Sequence, residues 1–205
     1  MCVDDPKSFK CVLCGCSFKF CICIYQYMRL FVAIEIDDGL RDKITGLQTW
    51  FLESGIRFVE RKHLHITLKF IGEVPDSSVP TIVDALRSVK FSPFEIALHG
   101  VGTFLQSNDQ SGVVWIGCRG PVDRLALTVS SALECIGIPK DNREFSSHLT
   151  VARIAQKPNL LFKRIEALVD VEIGEQNVSS FSLKQSLLTP QGPVYNDVDV
   201  FRLGD

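Results

Sequence analysis

Two short segments each place a histidine and a threonine two residues apart inside an apolar stretch. The first pair is His65 and Thr67, in HLHITLKFIGE, and the second is His148 and Thr150, in SSHLTVARI. In a β-strand, residues i and i+2 point to the same face. Each strand would therefore present one imidazole and one hydroxyl side by side, with its apolar residues facing a core.

Two such strands at one cleft contain the groups that hydrolysis of a phosphodiester needs. An imidazole titrates near neutrality, so one ring can take a proton from water while the other, protonated, gives a proton to the leaving oxygen. Strand threonines are stiff at χ1, and their hydroxyls can donate hydrogen bonds to phosphoryl oxygens. This chemistry requires no metal. A single His-x-Thr segment is more often structural than functional, so it is the repeat that favours catalysis.

The other two histidines are weaker candidates. His63 is predicted on the face of His65, and His-x-His can bind zinc, but no third ligand stands at a suitable spacing. We interpret His63 as a residue at the rim of the cleft and His99, in FEIALHG, as a core or edge histidine. The chain has no G-x-x-x-x-G-K-[ST] loop for a nucleoside triphosphate. We predict neither a metal nor a cofactor.

The elements that must position the two motifs alternate between strand and helix patterns. Helices are predicted to begin near Asp37, Pro75, Pro121 and Pro158. Strand patterns cover 29–36, 57–71, 94–104, 112–118, 147–154, 181–188 and 194–203. Because several strands adjoin without a helix between them, we predict an α+β fold with mixed sheets rather than one doubly wound sheet.

Composition narrows the class of protein. The chain has 205 residues, of which 46% are hydrophobic and 22% charged, so a globular domain is expected. It contains no run of 18 uncharged apolar residues, and we predict no membrane span. The net charge of −2 argues against binding along a tract of nucleic acid, because phosphate neutralisation dominates that affinity. A small substrate or an RNA end fits this charge.

The cysteines are unevenly distributed. Six of the eight lie near the amino terminus, at Cys2, Cys11, Cys14, Cys16, Cys21 and Cys23. A zinc site, a signal peptide, a membrane-associating segment and an extraneous extension are the four interpretations. We favour the extension, because Met28 directly precedes the strand RLFVAIEI. Residues 1–27 would then lie outside a domain of residues 28–205. Cys118 and Cys135 have apolar neighbours and are predicted to be buried thiols.

The two motifs with their flanks, HITLKFIGE and HLTVAR, resemble the 2H phosphoesterase superfamily. Within it the chain is most similar to the RNA 2′,3′-cyclic phosphodiesterases, formerly called 2′-5′ RNA ligases. MRLFVAIEI, GVVWIGC and FSLKQSLLTPQGPVY add to this resemblance, which covers about residues 28–205. It implies a bilobal α+β fold with two pseudo-twofold-related lobes and mixed sheets. Each lobe would contribute one His-x-Thr strand to a central cleft.

The resemblance also implies an activity. This is metal-independent hydrolysis of a terminal 2′,3′-cyclic phosphate of RNA, or of a small cyclic nucleotide, to a 2′-phosphomonoester. Reversible 2′-5′ ligation is a further possibility. His65 would be the proton donor to the leaving 3′ oxygen and His148 the proton acceptor from water. Thr67 and Thr150 would bind the phosphoryl oxygens. We expect a cytoplasmic enzyme without an obligate protein partner.

Two alternatives stay open on the sequence. One is a non-catalytic module that binds RNA ends or cyclic nucleotides. The other is a 2H enzyme for a different phosphodiester.

For three residues beside the motifs, the face on which the side chain lies depends on whether the strand alternates regularly. Arg153 matches the end of the family's second motif and could neutralise phosphate. Strict alternation, however, puts Arg153 opposite the catalytic face, so it reaches the cleft only if the strand bulges or ends. Lys69 falls on the catalytic face of the first motif and is the nearer candidate for substrate binding. Phe70 falls on the core face, so we do not expect it to stack on a base.

Overall fold

A computed structural model describes residues 26–106, 111–156, 158, 160–190 and 192–204. The interpretations of the amino-terminal cysteines concern residues that lie outside the described ones. The sheet begins at Tyr27, one residue before the predicted boundary, and the carbonyl of Gln26 accepts a hydrogen bond from the Asp76 amide at 3.0 Å. The assignment of residues 1–27 to an extension stays a prediction.

The described residues form nine strands and four α-helices. The helices are α1 (Asp38–Gln48), α2 (Val79–Arg87), α3 (Val122–Glu134) and α4 (Leu161–Glu166). The strands are β1 (Tyr27–Glu35), β2 (Ile56–Phe58), β3 (His65–Pro75), β4 (Phe94–Leu105), β5 (Gly112–Arg119), β6 (His148–Ile154), β7 (Glu172–Val178), β8 (Ser180–Thr189) and β9 (Gly192–Arg202). Within the described ranges, no helix has the length and apolar character that crossing a bilayer requires.

All nine strands belong to one sheet of order β7-β4-β5-β6-β3-β1-β8-β9, with β2 paired to β6. The α+β class is confirmed. The prediction of mixed sheets is wrong, because every strand pairing in the described part is antiparallel. A helix between two strands does not fix their relative direction. Here the connections through α1 and α3 return to antiparallel neighbours, β1 to β3 and β5 to β6.

The sheet consists of two related halves. One half is β7-β4-β5-β6 and the other is β3-β1-β8-β9. They meet between β3 and β6, where the register contains one pair of residues, Ile66 and Leu149. Each motif strand is the innermost strand of its half. The expected bilobal arrangement is therefore present as two halves of one continuous sheet.

The core fixes which residues of the motif strands face the cleft. Ile66 and Leu149 are fully buried, and α3 packs against β3 with buried Leu125, Val129 and Leu133. Each such aliphatic side chain stabilises the fold by about 1.5–3 kcal/mol on burial. A slip of one residue would bring these side chains to the cleft and the histidines into the core. The register of both motifs is therefore strongly specified.

Two strand predictions are corrected by the structure. The strand predicted over 57–71 is divided into β2 and β3 by a 3₁₀ turn, Arg61–His63, and β3 continues to Pro75. The turn is anchored to α1, because Arg61 contacts Asp38 at 3.0 Å and Asp42 at 2.6 Å. β7 was not predicted. It is an edge strand rich in charged and amide residues, a composition that hides the strand pattern while protecting the edge.

The two later cysteines differ from each other. Cys118 is buried in β5, and burial raises the pKa of its thiol to about 11. Cys135 is exposed, so its predicted burial is wrong. It lies at the end of α3, where the helix turns it outward while Leu133 and Ile136 pack on the core.

Candidate active site

The structure brings both motifs to one cavity. His65, Thr67, His148 and Thr150 all line a cleft of about 410 Å³, directly above the pair of buried residues that joins the two halves. The four side chains come from two strands that lie side by side. The arrangement expected from the repeat is therefore present in the fold.

Both imidazoles are fixed in the same way. The Nδ1 atom of His65 lies 2.7 Å from the carbonyl oxygen of His63, and Nδ1 of His148 lies 2.7 Å from that of Ser146. A carbonyl oxygen only accepts, so Nδ1 carries a proton in each ring. The Nε2 atom of each ring is then the one that accepts a proton when the ring is neutral and donates it when the ring is charged.

The two threonine hydroxyls are available to a ligand. Thr67 and Thr150 are partly exposed and line the cleft. Their hydroxyls have no hydrogen bond to any residue that the structure describes. Because strand backbone and the β-branch restrict χ1, the hydroxyl directions are fixed before a ligand binds. They can donate hydrogen bonds to phosphoryl oxygens without reorganisation.

Matching β-bulges follow the two motifs. In β3 an extra residue, Leu68, stands against Val32 and Ala33 of β1, and a second extra residue, Ile71, follows Phe70. In β6 the extra residue is Val151, opposite β5. In both strands two consecutive residues after the threonine are buried and the next is exposed. The bulges therefore turn the fifth residue after each histidine toward the cleft.

These bulges decide the three predictions that rested on strict alternation. Arg153 lines the cleft, because β6 contains the bulge that we expected to be necessary for this. The placement of Lys69 in the cleft beside both histidines is wrong: Lys69 is 3% exposed, its Nζ lies 2.9 Å from Asp141 Oδ1, and it lines the adjoining space around residues 141–146. The placement of Phe70 in the core is also wrong, because its side chain is 64% exposed and lines the cleft.

An aromatic cluster forms the wall beside His65. The ring of Tyr195, from β9, lies 5.3 Å from that of His65, 5.0 Å from His63 and 5.1 Å from Phe31. His63 lines the cleft as a rim residue, and burial lowers its pKa. Tyr195 was not singled out from the sequence. The sequence did contain a signal, because Tyr195 is the last residue of FSLKQSLLTPQGPVY, a segment that contributes to the family resemblance and forms the β8–β9 hairpin.

Charged groups lie next to His65. Glu35 is its register partner on β1 and forms an ion pair with Arg41. Lys184 contacts two carboxylates, with its Nζ 2.5 Å from Glu35 Oε1 and 2.6 Å from Asp197 Oδ1. Burial opposes the charge of Lys184, but the two carboxylates outweigh it and raise the lysine's pKa. Burial lowers the pKa of His65 to about 4, with Lys184 adding to the effect and Glu35 opposing it. His65 is therefore neutral at pH 7 in the empty cleft.

A second cavity of about 830 Å³ adjoins the first on the other half of the sheet. Phe104 and residues 141–146 form its outer wall. His148 opens to both cavities, whereas His65 lines the first and not the second. The residues common to the two linings are Thr67, Phe70, His148, Thr150 and Arg153. These five residues therefore lie at the junction of two unlike spaces.

Comparisons with known proteins identify the family. A family model for LigT-like phosphoesterases matches residues 34–115. An RNA 2′,3′-cyclic phosphodiesterase of Archaeoglobus fulgidus is 41% identical over 177 residues, which are 85% of this chain and 99% of the relative. The chain belongs to the LigT-like phosphoesterase family. A second relative of the same name, from Methanothermobacter thermautotrophicus, is 37% identical over 86% of this chain and 99% of its own.

Solved structures of LigT-like phosphoesterases share the fold. The protein TT0787 of Thermus thermophilus superimposes with a TM-score of 0.72 at 29% identity, over 85% of this chain and 97% of that protein. Escherichia coli LigT gives a TM-score of 0.71 at 24% identity over 88% of this chain and all of the other, a likeness of fold. The resemblance to the 2H superfamily is confirmed. The range of the family model includes the first motif, and the second lies beyond it.

Proposed function

We propose that this LigT-like phosphoesterase hydrolyses the 2′,3′-cyclic phosphate at an RNA end to a 2′-phosphomonoester, with its own side chains as acid and base. The names of its relatives, RNA 2′,3′-cyclic phosphodiesterases, support hydrolysis of a 2′,3′-cyclic phosphate of RNA. The observation that carries the proposal is the pair of His-x-Thr strands at one cleft, each histidine with Nδ1 bonded to a carbonyl and Nε2 left for proton transfer. The expected cytoplasmic location stays a prediction.

The reaction needs one proton acceptor and one proton donor. Nε2 of His148 takes a proton from water as the water oxygen bonds to phosphorus. The bond from phosphorus to the 3′ oxygen breaks, and Nε2 of His65 gives that oxygen a proton. The hydroxyls of Thr67 and Thr150 donate hydrogen bonds to the phosphoryl oxygens, and Arg153 neutralises their charge. The products are a 2′-phosphomonoester and a free 3′ hydroxyl.

The unequal cavities support this assignment of roles. Phe70 and Tyr195, with Phe31 behind them, offer ring surfaces on which a base can stack. The nucleoside then occupies the first cavity, on the side of His65. In an in-line displacement the attacking oxygen and the leaving oxygen lie on opposite sides of phosphorus. Water then attacks from the side of the second cavity, to which His148 opens.

The lowered pKa of His65 adds one requirement to this scheme. A proton donor must be charged when substrate is bound, whereas burial keeps His65 neutral in the empty cleft. The substrate carries a phosphodiester anion, and an opposite charge in contact with an imidazole favours its protonated form. His65 therefore takes up its proton together with the substrate.

The first test identifies the product. The protein is incubated in EDTA with 2′,3′-cyclic nucleotides and with a short RNA that ends in a cyclic phosphate, and products are compared with 2′- and 3′-phosphate standards. We expect only the 2′-phosphomonoester. A 3′-phosphate would reverse the orientation of the ribose. Binding without turnover would instead identify a non-catalytic module, and inactivity on every cyclic phosphate would favour another phosphodiester.

The pH dependence of a single-histidine variant tests the two roles. In His148→Ala the remaining cleft imidazole of the pair is His65, and kcat/KM reports the pKa of the free enzyme. As the donor, His65 is active when protonated, so residual kcat/KM should fall as pH rises above about 4. His65→Ala, which keeps the acceptor, should show the opposite slope. A His148→Ala profile that rises through pH 4 to a plateau would exchange the two roles.

A further inference from the structure

Arg29 is an exposed cation at the end of the first cavity. It lies on β1, where strand alternation places Arg29, Phe31, Ala33 and Glu35 on one face. Phe31 and Ala33 are buried, Arg29 is exposed, and both Arg29 and Phe31 line the cavity. Glu73 is its register partner on β3, yet Arg29 forms no hydrogen bond or ion pair with any residue in the described ranges. Its guanidinium is free to bind an anion.

The spacing along β1 relates Arg29 to the phosphate-binding threonines. Ala33 is the register partner of Thr67, and Phe31 is that of Phe70. Arg29 is four residues beyond Ala33, which is about 13 Å along a strand. One nucleotide together with an extended arginine side chain spans this distance. From the motif outward, the cleft therefore offers a phosphate site, an aromatic surface and a second cation.

This order matches the 3′ end of an RNA chain, which presents the terminal phosphate, its nucleoside and then the next phosphodiester. We infer that Arg29 binds the phosphodiester on the 5′ side of the terminal nucleotide, so that this phosphodiester raises kcat/KM above that of a cyclic mononucleotide. The inference rests on the proposed function. It adds a binding residue outside the two motifs and the phosphate that this residue contacts.

The second cavity offers an alternative path for the RNA, on the other side of the phosphate from Arg29. Arg143 lines it and also has no acidic partner within the described residues. An RNA chain placed there would occupy the side from which water attacks. In a 2′,3′-cyclic nucleotide the 5′ oxygen lies across the ribose from phosphorus. With the base stacked beside Tyr195 and Phe70, the 5′ oxygen is then directed away from the second cavity. The geometry therefore favours the path past Arg29.

The experiment compares two substrates that differ by one nucleotide. We measure kcat/KM for a 2′,3′-cyclic mononucleotide and for a dinucleotide with the same cyclic end. A hydrogen-bonded charge contact predicts an advantage of about 10-fold or more for the dinucleotide. Arg29→Ala should remove most of this ratio. It should also reduce the slope of log kcat/KM against log salt for the dinucleotide by about 0.7, the value for one phosphate contact on a single strand.

A neutral linkage identifies the contact itself. When the phosphodiester of the dinucleotide is replaced by a methylphosphonate, the wild-type protein should lose the same advantage. The Arg29→Ala variant should then show no further loss, because the two changes remove one interaction. Additive losses from the two changes would overturn the contact.

Two further arginine variants complete the design. Arg124→Ala, on the exposed side of α3, should leave the ratio of the two substrates unchanged. Arg143→Ala should also leave this ratio unchanged. If Arg143→Ala lowered the ratio and Arg29→Ala did not, the RNA would run through the second cavity and the inference would be overturned. Equal kcat/KM for both substrates in the wild type would overturn the inference while the proposed function stands. Turnover of neither substrate would overturn the proposed function itself.

Discussion

Replacement of either motif histidine, His65 or His148, should reduce kcat by about 10²–10⁴-fold, because each supplies one proton transfer in the transition state. The most informative substitutions are His65→Asn and His148→Asn, because they separate proton transfer from local structure. The asparagine amide nitrogen stands near the position of Nδ1 and can keep the hydrogen bond to the carbonyl of His63 or Ser146. Nε2 and its titration are then lost while the local fold is kept. The measurement is single-turnover hydrolysis of a cyclic-phosphate-ended RNA, beside the thermal midpoint of each variant.

A third histidine provides the control. His99 is partly buried in β4 and lines neither cavity, so His99→Asn should retain wild-type kcat. If either cleft variant hydrolysed the substrate at the wild-type rate, the two-histidine mechanism would be wrong. The double variant should be little slower than the slower single one, since groups that act in one step do not contribute additively.

The threonine hydroxyls should have the second largest effect. Thr67→Val and Thr150→Val keep the β-branched shape and remove only the hydroxyl, and each should lower kcat by about 10²–10³-fold, as for loss of one oxyanion donor. Stability should be nearly unchanged, because neither hydroxyl bonds to another described residue. Steady-state kinetics with thermal denaturation of the same samples separates the two effects.

Serine and a remote threonine test that interpretation. Thr67→Ser and Thr150→Ser keep a donor and should retain most of the activity. Thr103→Val on β4, which lines neither cavity, should behave as wild type. Valine variants as active as the serine variants would show that the hydroxyls do not stabilise the transition state.

Much of the site was predictable because the motifs are local. His65 and Thr67 share a face by the period of a strand, and the repeat at His148 and Thr150 indicated a shared cleft. The α+β class also followed from the element pattern. What alternation could not reveal were the bulges, since an extra residue in one strand is defined only against its partner.

Other errors have similarly non-local causes. β7 was missed because its polar residues suit an edge strand, and its place at the edge depends on the whole sheet. The direction of the strands, antiparallel throughout the described part, depends on where each helix returns the chain. Tyr195 reaches His65 from the last strand, a contact that no local pattern contains.

The matching bulges have a consequence for how these strands tolerate change in length. What meets the substrate beyond each threonine depends on counting residues, because the exposed position lies three residues after the threonine rather than two. Loss of the extra residue from the bulge in β3 would leave Phe70 opposite Phe31 in a regular ladder, and the same loss in β6 would leave Arg153 opposite Val113. Substitutions in these segments can be conservative. A lost residue is absorbed where the bulge closes, whereas a loss that kept the bulge would bring Ile71 or Ile154 to the cleft in place of Phe70 or Arg153.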